Sequence, residues 1–473
     1  MSDPKLDSSL RSKDEAYLLN NTFPKGTAKG LVIVAIAALT SVVIYHWLPF
    51  DINANKGLVM LFFIGVLWLT EALHVTITAL LVVIVGALIG IPDFDAKIGL
   101  QSFASPTIYL FFGGFALAAA LHVQQLDKKI ALKILSMSGG KLNTAVFLIF
   151  AVTAFLSMWI SNTATAAMML PLAIGILTQV DREKDRGTFV FVLLGIAYSA
   201  SLGGLGTIVG SPPNALAAKA LDLSFVDWMK FGIPMMLVLL PLLLGAMYLV
   251  LKPNLNRKVT FKQEEPIAWN KPRVVTIMVF ILTALSWLFS NKIEAIFDLS
   301  DTDAIIALSA AAAVVSFGLV SWKKVSDNTD WGVLMLFGGG IALSTILNVS
   351  GASLVLGETV ANGLSDAPLI VIMISISAFI IFLTEFASNT ASAALLIPVF
   401  AAIAEQMGLP NDVMVLVIGI GASCAFMLPV ATPPNAIVFG TGLIKQSEMV
   451  RTGVVLNIIA TFTVGLWAYY FLL

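Results

Sequence analysis

Apolar runs of roughly twenty residues, the length of a membrane-crossing helix, recur along the whole chain with short polar stretches between them. They predict spans at 30–50, 56–72, 76–92 and 106–123, then a longer apolar stretch, 142–178, with a polar triplet in its middle. A span at 188–217 follows, broken near Gly206 to Pro213, and then one at 231–251. A hydrophilic loop, 252–273, leads to spans at 274–290, 302–321 and 331–349. Next come a second long stretch at 367–404, a span at 412–439 broken near Ala431 to Pro434, and a last span at 450–473. The two long stretches read as hairpins. The expected fold is therefore an all-α polytopic membrane protein of about eleven transmembrane helices plus two re-entrant hairpins. Each hairpin arm is roughly 18 residues, or about 27 Å of helix, so paired complete spans are also possible by length. The polar tips favour arms that turn back near the midplane.

Composition agrees with this pattern. The 473 residues are 58% hydrophobic and only 12% charged, about half the charge of a soluble domain. A net charge of −1 gives no support to a nucleic-acid role. The single cysteine, Cys424, excludes an intrachain disulfide framework. Residues 1–29 are polar, with no apolar signal core before Gly30, and read as a cytoplasmic tail.

Basic residues set the expected sidedness. Lys5, Arg11, Lys13, Lys25 and Lys29 sit in the tail, and Lys128, Lys129, Lys133 and Lys141 follow the fourth span. Lys252, Arg257, Lys258, Lys262, Lys271 and Arg273 lie in the central loop, and Lys323 and Lys324 follow the eighth span. All share one side if each span crosses once and neither hairpin changes sides. That side is expected to be cytoplasmic, with the C-terminus outside; Lys219 and Lys230 run against the count. The first hairpin is flanked by Lys133, Lys141, Arg182, Lys184 and Arg186, the second by Asp366, Glu405 and Asp412. The hairpins therefore enter from opposite faces.

They also carry the same sequence. Ser161-Asn162-Thr163 recurs 227 positions later as Ser388-Asn389-Thr390. The surroundings match too: AFLSMWISNTATAAMMLP (154–171) against AFIIFLTEFASNTASAALLIP (378–398). GSPPNALA (210–217) follows the first copy and ATPPNAIV (431–438) the second. A single Ser-Asn-Thr in a membrane helix usually serves as interhelical glue. Two copies in matched contexts, each followed by a Pro-Pro-Asn break, mark an inverted repeat that builds one site from two halves.

The residue types suggest the ligands. Asn carbonyl, Ser and Thr hydroxyl and freed backbone carbonyl oxygens suit a small hard cation; amide N–H, hydroxyls and helix N-termini suit a carboxylate. The prolines enforce the breaks, and Gly203, Gly204, Gly206 and Gly210 supply flexible backbone before the first pair. No Lys or Arg stands at the hairpin tips or the breaks. A dianion there would take its countercharge from co-bound cations. Few carboxylates or histidines are available for a proton relay; Glu385, beside Thr384, is the main exception. Glu71 reads as interfacial. His46, His74 and His122 lie near helix ends without metal-ligand spacing. Gly113-Gly114 and Gly338-Gly339-Gly340 read as packing devices rather than phosphate loops. No nucleophile–base pair stands out, so an enzyme has no positive support.

The twin triplets, the GSPPN and ATPPN segments and the hairpin–broken-helix order resemble the divalent anion:sodium symporter family, the INDY-type dicarboxylate transporters of bacteria and animals. The resemblance covers nearly the whole chain. It implies a homodimer that moves substrate by an elevator motion. Residues 30–123 and 274–349 would form a scaffold, and 124–251 and 350–473 the two halves of a transport domain, joined through the 252–273 loop. It implies carboxylates held by Asn162, Thr163, Asn389 and Thr390, with Ser211, Pro212, Thr432 and Pro433 lining the pocket. One Na⁺ site would use Ser157, Ser161, Asn162 and Gly210, and a second Thr384, Ala387, Asn389 and Ala431. The expected activity is Na⁺-coupled import of C4-dicarboxylates (succinate, fumarate, malate) across the inner membrane, with two or more Na⁺. Its partners are the dicarboxylate, Na⁺ and membrane lipid, with no nucleic acid. An uncoupled dicarboxylate exchanger, a citrate or sulfate symporter and an anion channel are the alternatives.

Overall fold

The computed structural model describes residues 27–258, 267–364 and 367–473. The chain up to residue 26, the loop segment holding Lys262, and Asp366 lie outside the described residues. The described chain is helical, with no strand among these residues; one isolated bridge pairs Lys141 with Lys258. Helices are what a membrane permits, because each satisfies its own backbone where no water is present.

Among the described residues eight helices are long and apolar enough to cross a bilayer, or nine if Ser290–Phe297 and Thr302–Ser316, bent by 99°, form one span. The sequence suggested about eleven. Val75–Leu88 is short because Gly90, at φ +64°, ends the segment before Pro92. Thr302–Ser316 stops ahead of Gly318 at φ +67°, whose N–H returns to Val315 O at 3.0 Å. The 412–439 span survives only as Asn411–Gly421 and Pro433–Gly440, so its break is longer than expected. The first helix begins at Thr27, inside the segment read as tail, and Phe225–Leu251 begins six residues before the expected 231, capped by Ser224. The sequence reading missed Leu126–Ser136 and Ala352–Leu364, short helices that precede the two hairpins.

Arg186–Gly203 runs through the centre, and every residue from Thr188 to Gly203 is buried. It packs on Leu142–Ser157, Asn162–Leu177 and Phe225–Leu251, while Leu369–Leu383 and Asn411–Gly421 pack on Gln446–Phe471. Elsewhere Pro106–Val123 packs on Thr302–Ser316, and Val75–Leu88 on Trp331–Val349. The paired glycines act there as close-packing surfaces. A Cβ on Gly113 would stand 2.4 Å from the Ala307 carbonyl, and one on Gly339 2.6 Å from Ala79 Cβ.

Loop contacts sort the helix ends into two faces. On one, Gln124 Nε2 donates to Leu319 O (2.7 Å) and Arg273 Nε to Gln124 O (2.9 Å). Leu142 N donates to Arg257 O (2.9 Å), Arg257 pairs with Asp185 (2.6 Å), and Arg186 grips Glu448 at 2.5 and 2.7 Å. This face gathers the basic loops and both ends of the first hairpin. Gln406 and Asn411, at the far end of the second hairpin, instead share a cleft with Lys219, Ala220 and Asn348. Lys219 lies beyond the break, at the other end of the central helix from Arg186. The hairpins thus enter from opposite faces.

Gly113→Val should force the helices apart at Ala307 and cost about 1–3 kcal/mol, lowering the thermal midpoint of detergent-solubilised protein. Gly245→Ala, where an added Cβ meets nothing within 4 Å, should leave or raise it, since alanine is the better helix former.

Candidate functional site

The repeated triplet falls at the same structural place twice. Ser161 is the N-cap of Asn162–Leu177 and Ser388 the N-cap of Asn389–Gln406. Their hydroxyls accept from Ala164 N (3.3 Å) and Ala391 N (3.4 Å). Each hairpin therefore turns at its serine, and Asn and Thr open the returning helix. The breaks obey the same logic. Pro212 and Pro433 occupy the first turns of Pro212–Ala220 and Pro433–Gly440, where a missing N–H costs nothing. All eight residues expected at the substrate thus lie at four helix N-termini.

These helices cross-pack between the halves. Pro433–Gly440 packs on Asn162–Leu177, and Pro212–Ala220 on Asn389–Gln406. Their far ends also pair: Arg182 Nη2 reaches Gly442 O (3.0 Å), and Lys219 and Ala220 share the cleft of Gln406. Each pair is therefore parallel, with both N-termini at the break. The arrangement is open on the first hairpin's side. Thr163, Ala164, Pro433 and Ala436 are exposed, whereas Pro213 to Ala218 and Ala391 to Leu395 are buried.

The asparagine of each Pro-Pro-Asn staples its own break. Asn214 Nδ2 donates to the carbonyls of Gly204 and Thr207, both at 2.8 Å, ten and seven residues back. Asn435 Nδ2 donates at the same intervals to Ala425 (3.2 Å) and Leu428 (3.1 Å). Both asparagine Oδ1 atoms are buried without a partner. Each hairpin tip is then tied to its break by a different group. In the first half the Thr207 hydroxyl donates to Met158 O. In the second, Glu385 occupies the position of Met158, four residues before the asparagine, and its carboxylate takes the N–H groups of Phe426 (2.6 Å), Met427 (2.9 Å) and Leu428 (3.0 Å).

Of the first expected cation set, the structure brings together Ser157, Asn162 and Gly210. One terminal atom of the Asn162 amide lies 2.6 Å from Ser157 Oγ and 3.1 Å from each of Gly210 O and Ala200 O. Surrounded only by acceptors, that atom is the nitrogen when hydrogen bonds decide, and the oxygen when a cation shares the cradle. Ser161 lies beside it, with its hydroxyl turned to its own helix. In the second set Ala387 and Ala431 are buried and Asn389 Oδ1 is buried without a partner. The Thr384 hydroxyl turns back to Ile380 O (2.9 Å) and Ile381 O (3.1 Å). Ser211 Oγ meets Ser423 Oγ at 3.3 Å across the halves, while Thr432 Oγ1 caps Asn435 N at 3.3 Å.

The sequence reading missed several of these roles. Ala200 contributes only a carbonyl, which no sequence pattern announces. Asn214 and Asn435 are visible as matched letters, but the prolines and glycines carry the expectation of a break, and the stapling role shows only in the structure. Tyr198, whose hydroxyl donates to Phe426 O (2.7 Å), and Asn457, whose amide donates to Glu385 (2.7 Å), lie outside the matched motifs. Two histidines serve helix ends: His74 caps Thr76 N (3.3 Å), and His122 meets Asp127 at 2.9 Å.

Comparison with known proteins bears on the same chain. A family model described as the sodium:sulfate symporter transmembrane region matches residues 28–472. A protein of Haemophilus influenzae, described as an uncharacterized transporter, is 53% identical over 452 residues, covering 94% of this chain and 97% of that one. An uncharacterized transporter of Methanocaldococcus jannaschii is 37% identical, covering 88% and 94%. The sodium-dependent dicarboxylate transporter SdcS of Staphylococcus saprophyticus is 29% identical, covering 95% and 92%. Among solved structures, the YdaH transporter of Alcanivorax borkumensis shares the fold with a TM-score of 0.59 at 14% identity, covering 84% and 99%. MtrF of Neisseria gonorrhoeae shares it at 0.54 and 12%, covering 94% and 95%.

Asn214→Leu and Asn435→Leu should each strand two buried carbonyls, at about 1–3 kcal/mol per unpaired group. Each should lower the thermal midpoint of the purified protein. Equal midpoints for variant and parent would show that the staples do not hold the breaks.

Proposed function

The chain belongs to the sodium:sulfate symporter family, and on that premise we propose that it is a secondary transporter coupling Na⁺ to the import of C4-dicarboxylates such as succinate, fumarate and malate. The observation that carries this reading is the cross-packed set of four helix N-termini, with no Lys or Arg in the hairpins or breaks. N-terminal N–H groups and dipoles favour anions. Two separate pairs, one from each hairpin with the other half's restarted helix, suit two separate carboxylates better than one compact sulfate. Asn162, Thr163, Ser211 and Pro212 from the first half, with Asn389, Thr390, Thr432 and Pro433 from the second, would line the pocket.

Dipoles alone do not neutralise a dianion in a medium of low dielectric constant. Na⁺ supplies the missing charge. The acceptor-lined cradle of Ser157, Asn162, Ala200 and Gly210, and the buried, unpartnered Asn389 Oδ1, are suited to it. Each tip asparagine would then face a cation with one atom and substrate with the other. This joins the two binding events, since either ligand orients the amide for its partner.

The loop contacts gather the basic residues on one face; with positive residues inside, that face is cytoplasmic and the site is open to the cytoplasm. The other state would come from an elevator movement of the hairpins and broken helices against a dimeric scaffold in the inner membrane.

Protein reconstituted in liposomes should accumulate labelled succinate under an inward Na⁺ gradient. Equal uptake with K⁺ or choline in place of Na⁺ would remove the coupling, and uptake that needs substrate on the far side would reveal an exchanger. Competition by succinate above sulfate, citrate and 2-oxoglutarate should fix the substrate class. Asn162→Ala and Asn389→Ala should each lower uptake by at least about a hundredfold, on the order of 3 kcal/mol. A variant that retains transport would take its asparagine out of the site.

A further inference from the structure

The short helices that lead into the two hairpins are hung in the same way. Leu126–Ser136 follows Pro106–Val123, and Ala352–Leu364 follows Trp331–Val349, each after a joint of two residues. The second residue of each joint has a positive φ, +56° at Gln125 and +77° at Gly351. The backbone bonds match one for one. In the first half Gln124 N donates to Ala120 O (3.0 Å), Gln125 N to His122 O (2.9 Å) and Lys129 N to Gln125 O (3.0 Å). In the second, Ser350 N donates to Ile346 O (3.0 Å), Gly351 N to Asn348 O (3.1 Å) and Val355 N to Gly351 O (3.2 Å). A side-chain clasp then spans each joint over the same interval. His122 Nδ1 meets Asp127 Oδ2 at 2.9 Å, and Ser353 Oγ donates to Asn348 Oδ1 at 2.9 Å. The clasps differ in one respect: only the first can carry charge. His122 lies in the last turn of its helix and Asp127 in the first turn of the next, where the helix dipoles favour a cation and an anion respectively. Asp127 is buried and the imidazole is exposed. The joint itself is fixed to its surroundings, since Gln124 Nε2 donates to Leu319 O and Arg273 Nε to Gln124 O.

The other charged residues of Leu126–Ser136 are Lys128, Lys129 and Lys133. At this end of the molecule, the elements packed on the two helices add Lys141, Lys271, Arg273, Lys323, Lys324, Asp327 and Asp330. His122 is the one histidine among them, and histidine is the residue type that changes charge between pH 5 and 8. We propose that the His122–Asp127 clasp is a proton-sensitive brake on the first hairpin. With the imidazole protonated, the bond is charge-assisted and holds the joint at the angle it has here. With the imidazole neutral, the joint is held no more tightly than its Asn348–Ser353 counterpart. Acid on the face that gathers the basic loops therefore favours the present arrangement and slows the hairpin's return. His122 and Asp127 are positioning residues that act through the joint, apart from the residues proposed for substrate and Na⁺. The inference rests on the hairpin movement proposed above and adds a regulator to it.

Writing the second clasp into the first joint gives the test. The double variant His122→Asn with Asp127→Ser has a neutral clasp at every pH, and His122→Asn alone serves if the double variant does not fold. Maximal succinate uptake in liposomes is compared between parent and variant, so the titration of succinate itself cancels in the ratio. Between about pH 7.5 and about pH 6, the range in which histidine gains its proton, the parent's rate should fall by about threefold or more relative to the variant's. The KM ratio should stay constant, and the parent's thermal midpoint should gain on the variant's as the pH falls. His74→Asn removes the histidine that caps Val75–Leu88 and should respond to pH as the parent does. A purely structural clasp would give the variant a lower midpoint and a rate ratio that does not change with pH. That constant ratio would overturn the inference and leave the transport reading intact, as would loss of the response in His74→Asn. A parent that takes up no succinate at either pH would overturn the transport reading and this inference with it.

Discussion

Backbone polar groups buried in a membrane protein must find partners inside the protein, and the two broken helices turn on that constraint. A helix satisfies itself; a break does not. Each break here is answered group by group. Asn214 and Asn435 cover two carbonyls apiece at identical spacing. Tyr198 covers Phe426 O, and Glu385 covers three N–H groups in succession. Asn214, Asn435 and Glu385 each serve the break of their own half, and among these partners Tyr198 alone reaches across to the other. The site is a consequence of that requirement: helices that restart in the interior present their N-termini there.

The same constraint explains why the chain has no basic residue at its centre. Helix N-termini already offer positive potential, and a lysine would add a charge that must be desolvated in every state. Donors and dipoles without a fixed charge leave room for a mobile one. In the proposed mechanism that mobile charge is Na⁺, and the tip asparagines are where anion and cation meet. The two helix pairs differ in exposure: Thr163, Ala164, Pro433 and Ala436 are exposed, and Pro213 to Ala218 and Ala391 to Leu395 are buried.

That symmetry is approximate, and its departures matter. Met158 and Glu385 stand at matched positions, as do Thr207 and Leu428. The tie between tip and break is kept in both halves, but its chemistry is exchanged: a hydroxyl to a carbonyl in one, backbone N–H groups to a carboxylate in the other. Ser211 and Thr432 also diverge, one meeting Ser423 across the interface and the other capping its own helix. Two halves with one ancestral pattern need not bind equal ligands.

Much of this was legible in the chain itself. The length of the apolar runs, the bias of Lys and Arg and the duplicated Ser-Asn-Thr and Pro-Pro-Asn motifs determine a polytopic helical protein with hairpins opposed across the membrane. Each of these is a local property, read from hydrophobic length, loop charge or a short motif. Val75–Leu88, Thr302–Ser316 and Asn411–Gly421 are shorter than their apolar runs suggest, because glycines at positive φ and a long irregular segment end those helices early. Two short helices before the hairpins went unread, since neither is long enough to signal a span. What only the tertiary structure decided is which groups face one another. The Tyr198 hydroxyl reaches the second break from the other half, the Asn457 amide reaches Glu385 from the last helix, and the Ala200 carbonyl meets Ser157 of the first hairpin. Glu385 was visible as an oddity, but its role depends on three N–H groups some forty residues away in the chain. Backbone donors and acceptors are the same at every position of a sequence, so folding alone determines which of them are left to be answered.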